Sequence, residues 1–230
     1  MKNPRNSPRS SLPADAHSGP GKVRIIGGRW RGTRLDVADA AGLRPTSDRV
    51  RETLFNWLAP ALPGARVLDL FAGSGALGLE AVSRGAQSAV LVERNPAIAA
   101  ALRAIAARLP GGGAVSVAQA EAAAWLQAAD DASFDLAFVD PPFAAQLWAG
   151  IVPKLLPKLS AGAWLYIEST PGADLALPAE WALHREGSTR EVRYALYRRS
   201  SPAGGAPAPA DTLGVDPAGP RASPFEPAMQ

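Results

Sequence analysis

The chain has 230 residues, 47% of them hydrophobic, which suffices for one α/β domain with extensions. It has no cysteine, which excludes a disulfide framework and a thiolate metal site or nucleophile, and only two histidines, His17 in a tail-like segment and an isolated His184, so no metal site is expected. The net charge of +3 is unevenly spread: residues 1–51 hold eleven Lys/Arg against four Asp/Glu and the remainder thirteen against seventeen, a basic front end that points to a polyanion, nucleic acid first.

Residues 1–22 are rich in Pro, Ser, Asn and Gly and read as a disordered basic tail. They contain no apolar stretch of the kind a secretory signal needs, and no run in the chain reaches the length of a membrane span, so a cytoplasmic protein is expected. Residues 23–65 read as a small extension. "VRIIGGRWRGTRLDV" predicts a short hairpin whose turn and second arm carry Arg29, Arg31 and Arg34. "LRPTSDRVRETLFNWL" predicts a helix capped by Thr46, Ser47 or Asp48, with Val50, Leu54, Trp57 and Leu58 on one face and Arg49, Arg51 and Glu52 pointing elsewhere. Together with Arg44, these arginines form a set of six candidate phosphate contacts; the plainer alternative is a solvated surface.

From Arg66 the pattern alternates strand and helix. Strands are expected at "RVLDLF", "SAVLVE", "AVSVA", "FDLAFVD", "AWLYIES", "WALHREG" and "REVRYALYRR", with helices at "SGALGLEAVSRG", Pro96–Arg108, Ala122–Ala129 and Gln146–Leu156. Short linkers between them imply an α/β fold over residues 66–199: a Rossmann-like, mostly parallel seven-stranded sheet covered on both faces, with one antiparallel strand near the end. Ligands of such sheets bind at the carboxyl ends of the strands, where strand order reverses. Residues 200–230 are Pro/Ala/Gly-rich and read as a second disordered tail.

The first strand runs into "DLFAGSGALG", whose Gly73, Gly75 and Gly78 allow a tight turn and close approach of a ligand to the backbone. Alone this fits a dinucleotide site, a methyl-donor site or a packing turn. Two acids sharpen it. Glu93 ends the second strand, 20 residues after Gly73, where a carboxylate can accept both hydroxyls of a ribose. Asp69 stands four residues before Gly73, an awkward neighbour for a pyrophosphate but a favourable one for an ammonium and a sulfonium. The pair favours S-adenosylmethionine over a nicotinamide dinucleotide. Glu121, after the third strand, could reach an adenine amine; helix capping is its competing role.

The fourth strand ends in Asp140-Pro141-Pro142-Phe143. An exocyclic base amine is a poor nucleophile because its lone pair is delocalised into the ring. Acceptors for its N–H groups favour a pyramidal nitrogen, and Asp140 with a backbone carbonyl, that of Pro141, could supply them. The prolines offer no competing N–H, Phe143 can stack on a flipped-out base, and Asp140 could take the proton.

"DLFAGSGALGLEA", Glu93 and "DPPF" resemble the amino-methylating class I S-adenosylmethionine-dependent methyltransferases. "RIIGGRWRG", "LRPTSDRVRETLFNWL" and "FVDPPF", in this order, resemble the bacterial 16S ribosomal RNA guanine-N2 methyltransferase family, over about Val23 to Arg199. The resemblance implies methyl transfer to the N2 amine of one guanine in 16S ribosomal RNA, within the small ribosomal subunit or its assembly intermediate. It implies that Asp69, Phe71, Gly73, Ser74 and Gly75 line the donor site, that Glu93 holds the ribose and that Asp140 to Phe143 hold the base. Where that family carries Asp or Asn after the third strand, this chain has the longer Glu121. The alternatives are a DNA adenine-N6 methyltransferase, for which no sequence-reading domain is evident, a nicotinamide-dependent oxidoreductase, which gives "DPPF" no task, and a non-catalytic RNA-binding scaffold, which would not need both Asp69 and Asp140.

Overall fold

A computed structural model describes residues 23–35, 47–141, 148–173 and 175–200. Two short strands, β1 (Val23–Arg24) and β2 (Arg34–Leu35), pair antiparallel with Val23 opposite Leu35, forming the expected hairpin. Helix α1 (Asp48–Leu58) follows; of the three candidate caps it is Ser47 whose Oγ accepts from Val50 N at 3.3 Å.

The main sheet contains β3 (Arg66–Asp69), β4 (Ser88–Glu93), β5 (Val115–Gln119), β6 (Phe134–Val139), β7 (Leu159–Ser169), β8 (Trp181–Ser188) and β9 (Arg193–Arg199). Its order is β5-β4-β3-β6-β7-β9-β8, and β9 alone runs against its neighbours. The expected seven strands and single antiparallel strand are therefore present. The strand β7 starts four residues earlier than the apolar run "AWLYIES" suggests, because Phe134 of β6 pairs with Leu159. The helices between strands are α2 (Ala76–Ser83), α3 (Pro96–Arg108), α4 (Ala122–Ala128) and α5 (Trp148–Leu155). Asn95 caps α3 by accepting from Ala97 N and Ile98 N, and Pro96 needs no such partner.

Period-two alternation divides the strand residues between two cores. Val67, Leu91, Leu136, Phe138, Tyr166 and Leu196 face the side of α1, α2 and α3, whereas Leu68, Val92, Val139, Ile167 and Tyr197 face α4 and α5. The hairpin and α1 share the first core, contributing Ile25, Trp30, Leu54, Phe55 and Leu58. Hydrogen bonds fasten the hairpin to α2: Ile26 N donates to Glu80 Oε2 at 2.7 Å, and Trp30 N to Ser83 Oγ at 2.9 Å. Among the described residues no helix is long and apolar enough to cross a membrane.

Candidate active site

The chain winds outward from β3 to β4 and β5, then returns to place β6 on the other side of β3. Strand order therefore reverses between β3 and β6, and their carboxyl ends form the crevice. The two ends are tied together: Asp69 pairs with Phe138, and Leu70 N donates to Phe138 O at 3.1 Å. This brings the glycine turn after β3 alongside Asp140-Pro141 after β6.

The turn is a connected set of hydrogen bonds. Ala72 N donates to Val92 O at 3.0 Å, Gly75 N to Ala72 O at 2.6 Å and Gly73 N to Glu93 Oε2 at 3.0 Å. Gly75 has φ 72°, a conformation that favours glycine, and a Cβ there would lie 2.5 Å from Leu102 Cδ2, which would have to move. Gly78 lets α2 settle onto the sheet: a Cβ on it would sit 2.8 Å from Leu91 Cδ1. Phe71, Gly73 and Ser74 are half-buried at the mouth, and Ser74 Oγ accepts from Ala76 N at 3.3 Å.

Glu93 was expected at the end of β4 and is found there, half-buried. Its Oε2 accepts from Gly73 N and its Oε1 from Asn95 N at 2.7 Å, so one carboxylate joins the glycine turn to the start of α3. Glu121 is exposed and caps α4 by accepting from Ala123 N at 2.9 Å, the competing role anticipated for it.

Asp69 differs in setting from its neighbours. It is 3% exposed, and its Oδ2 accepts from Gly78 N in the first turn of α2 at 2.9 Å. Burial pushes its pKa up to about 7; the Gly78 bond opposes the shift and the Glu93 charge adds to it. Asp69 therefore braces the turn from behind, where the sequence suggested a carboxylate facing a cationic ligand.

Asp140 is half-buried and Pro141 buried. Pro142, Phe143 and Arg44, also named from the sequence, lie outside the described residues. Behind Asp140 stand Phe138 and Tyr166, edge to face at 6.0 Å.

The arginines of the front end separate into two kinds. Arg29, Arg31, Arg34 and Arg49 are exposed. The Arg29 guanidinium lies over the Trp30 ring at 4.7 Å, and Trp30 Nε1 donates to Pro110 O at 2.9 Å. Arg51 is instead 0% exposed, with Nη2 donating to Arg24 O at 2.9 Å and to Asp48 Oδ1 at 2.6 Å. Its expected place on the outward face of α1, touching phosphate, does not fit: the residue turns inward because Glu80, itself buried, supplies a counter-charge from α2. Nothing local in "DRVRETL" announces that partner, 29 positions away.

The conserved hypothetical protein 95 family matches residues 23–198. Ribosomal RNA small subunit methyltransferase D of Escherichia coli K12 is 46% identical over 192 residues, covering 80% of this chain and 94% of the relative. The protein of the same name from Haemophilus influenzae is 39% identical over 182 residues, covering 77% and 94%. A solved Escherichia coli structure, described as a candidate methyltransferase, superposes with a TM-score of 0.72 at 44% identity, covering 78% of this chain and 99% of its own.

Proposed function

We propose, from the premise that the chain belongs to the conserved hypothetical protein 95 family and to that of ribosomal RNA small subunit methyltransferase D, that it methylates the exocyclic N2 amine of one guanine in 16S ribosomal RNA, with S-adenosylmethionine as donor. The observation that carries this reading is the placement of Asp140-Pro141 directly across from the glycine turn, where strand order reverses. The substrate is taken to be the small ribosomal subunit or its assembly intermediate, encountered in the cytoplasm.

Two features suit the donor. The Gly78 amide, in the first turn of α2, is already occupied by Asp69, so the helix start that would hold a pyrophosphate in a dinucleotide enzyme is neutralised from within. The half-buried carboxylate of Glu93 favours a ligand bearing ribose hydroxyls and positive charge. When bound, S-adenosylmethionine supplies a methyl carbon on a sulfonium sulfur, which leaves with the bonding electron pair as a neutral thioether.

The chain's residues then have distinct tasks. Glu93 accepts from the ribose hydroxyls, and Glu121, beyond its cap on α4, offers its second carboxylate oxygen to the adenine amine. Gly73 and Gly75, with Phe71 and Ser74, shape the turn the donor rests on, while Asp69 keeps that turn in place. Asp140 accepts an N–H of the base amine, directs the nitrogen lone pair towards the methyl carbon, and takes the proton lost when the C–N bond forms. Exposed Arg29, Arg31, Arg34 and Arg49 hold the phosphates of the substrate.

The test is transfer of labelled methyl groups to small-subunit particles and, in parallel, to genomic DNA, followed by nucleoside mass spectrometry of each. N2-methylguanosine is the expected product, and Asp140→Ala should remove it while leaving S-adenosylmethionine affinity within a few-fold. N6-methyladenosine in DNA, or no transfer at all, overturns the reading.

A further inference from the structure

The register of β6 against β7 carries a second carboxylate to the level of Asp140. Strands β6 and β7 are parallel, with Phe138 opposite Tyr166 and Val139 opposite Ile167. Asp140 and Glu168 follow as the next residues on each chain. Phe138 and Tyr166 point to the α1–α3 side, and residues two apart share a face, so Asp140 and Glu168 continue that line at the crevice. Glu168 in turn pairs with Tyr194 of β9, whose ring is stacked on Trp57 at 5.8 Å.

Glu168 is only 5% exposed, an expensive position for a carboxylate unless donors surround it. The Tyr166 hydroxyl, in the row behind, donates to its Oε1 at 2.8 Å and fixes its direction. Burial foremost, then the charges of Glu168 and Asp140, raise the Tyr166 pKa well above its ordinary value, so both acids act on one hydroxyl.

The chemistry of the bases gives this arrangement a use. Guanine presents two adjacent donors on one edge, N1–H and the N2 amine. Adenine presents an amine donor beside the N1 lone pair, an acceptor. Two carboxylates side by side match the first pattern and oppose the second, because a lone pair facing a buried carboxylate leaves both unsatisfied. We propose that Glu168, held by Tyr166, accepts from guanine N1–H while Asp140 accepts from the N2 amine, and that Glu168 thereby selects guanine over bases whose N1 is an acceptor. This inference rests on the amine-methylating reading above.

The experiment uses reconstituted small-subunit particles carrying either guanine or 2-aminopurine at the target position. The analogue keeps the amine at C2 but has a lone pair at N1. The native enzyme is expected to favour guanine by at least about a hundredfold in kcat/KM, since a site built around an N–H rejects an analogue lacking it. In Glu168→Gln the side-chain amide can donate to N1, and the preference is expected to fall to about tenfold or less, with S-adenosylmethionine affinity unchanged. An unchanged guanine preference in Glu168→Gln overturns the inference, as does an equal loss on both substrates, which marks Glu168 as a packing residue. If Glu168→Gln fails to fold, Tyr166→Phe carries the same comparison, and the preference must narrow there too. Failure of the native enzyme to form N2-methylguanosine would instead overturn the functional reading beneath it, so the two failures are told apart.

Discussion

Arg51 Nη1 lies 3.7 Å from Glu80 Oε2, and both side chains are wholly buried. The contact joins α1 to α2 across the seam between the basic front end and the glycine-turn helix. Glu80 also accepts from Ile26 N and from Arg84 Nε at 2.7 Å, so one carboxylate gathers the hairpin, α1 and α2. The front end is thus anchored to the helix that starts at the candidate donor site.

Removing Arg51 deletes a wholly buried side chain, its hydrogen bonds to Arg24 O and Asp48 Oδ1, and one of the two guanidinium groups that face Glu80, leaving Arg84 as the other. Arg51→Ala is therefore expected to cost about 2–4 kcal/mol of stability. Arg49→Ala, two residues away and exposed, should change stability by no more than about 0.5 kcal/mol. Urea denaturation of both variants makes the comparison. A loss below about 1 kcal/mol for Arg51→Ala would show that the buried pair does not hold the front end in place.

Asp69 gives a pH signature. Its folded pKa, about 7, lies above the ordinary carboxylate value because the carboxyl is buried. Between about pH 4 and pH 7 the unfolded chain releases this proton while the folded chain keeps it, so stability falls as pH rises through that window and levels off above it. The full shift corresponds to on the order of 4 kcal/mol. Asp69→Asn retains an acceptor for Gly78 N but cannot ionise. Its stability relative to the native protein should increase from pH 4 to pH 7 and stay level beyond; parallel curves across that range would refute the assignment.

Glu93 braces Gly73 N and Asn95 N, and under the proposed function it also receives the donor ribose. Glu93→Ala should raise the dissociation constant for S-adenosylmethionine at least about tenfold through lost charge-assisted hydrogen bonds. Calorimetric titration decides the matter. Binding of NADH in place of S-adenosylmethionine would return the glycine turn to a dinucleotide role.

The exposed arginines of the hairpin bear on the substrate. Replacing Arg29, Arg31 and Arg34 with Ala should weaken binding to small-subunit particles and flatten its salt dependence by roughly one unit of log–log slope per lost phosphate contact. Donor affinity should stay constant. An unchanged salt slope would assign these side chains to solvated surface.

Local chemistry made much of this fold legible. The strand β4 (Ser88–Glu93) and helix α3 (Pro96–Arg108) fall where the sequence places them, since β-branched alternation, an Asn-Pro start and a basic last turn are written within each segment. The place of Glu93 at the end of β4 was legible in the same way, whereas its 3.0 Å hydrogen bond from Gly73 N was not. The start of β7 was not legible, because its early residues pair with β6 without an apolar run of their own.

The sequence by itself determined the alternation of strand and helix, the two cores, and the acids that end β3, β4 and β6, because period, caps and turn residues act over a few positions. Only the tertiary structure decided which acids face the crevice. Asp69 turned to α2, Arg51 went inward to Glu80, and the β6–β7 register set Val139 opposite Ile167, the residues just before Asp140 and Glu168. Each outcome depends on strand register or helix docking, and those are set by packing between segments whose separation along the chain carries no local signal.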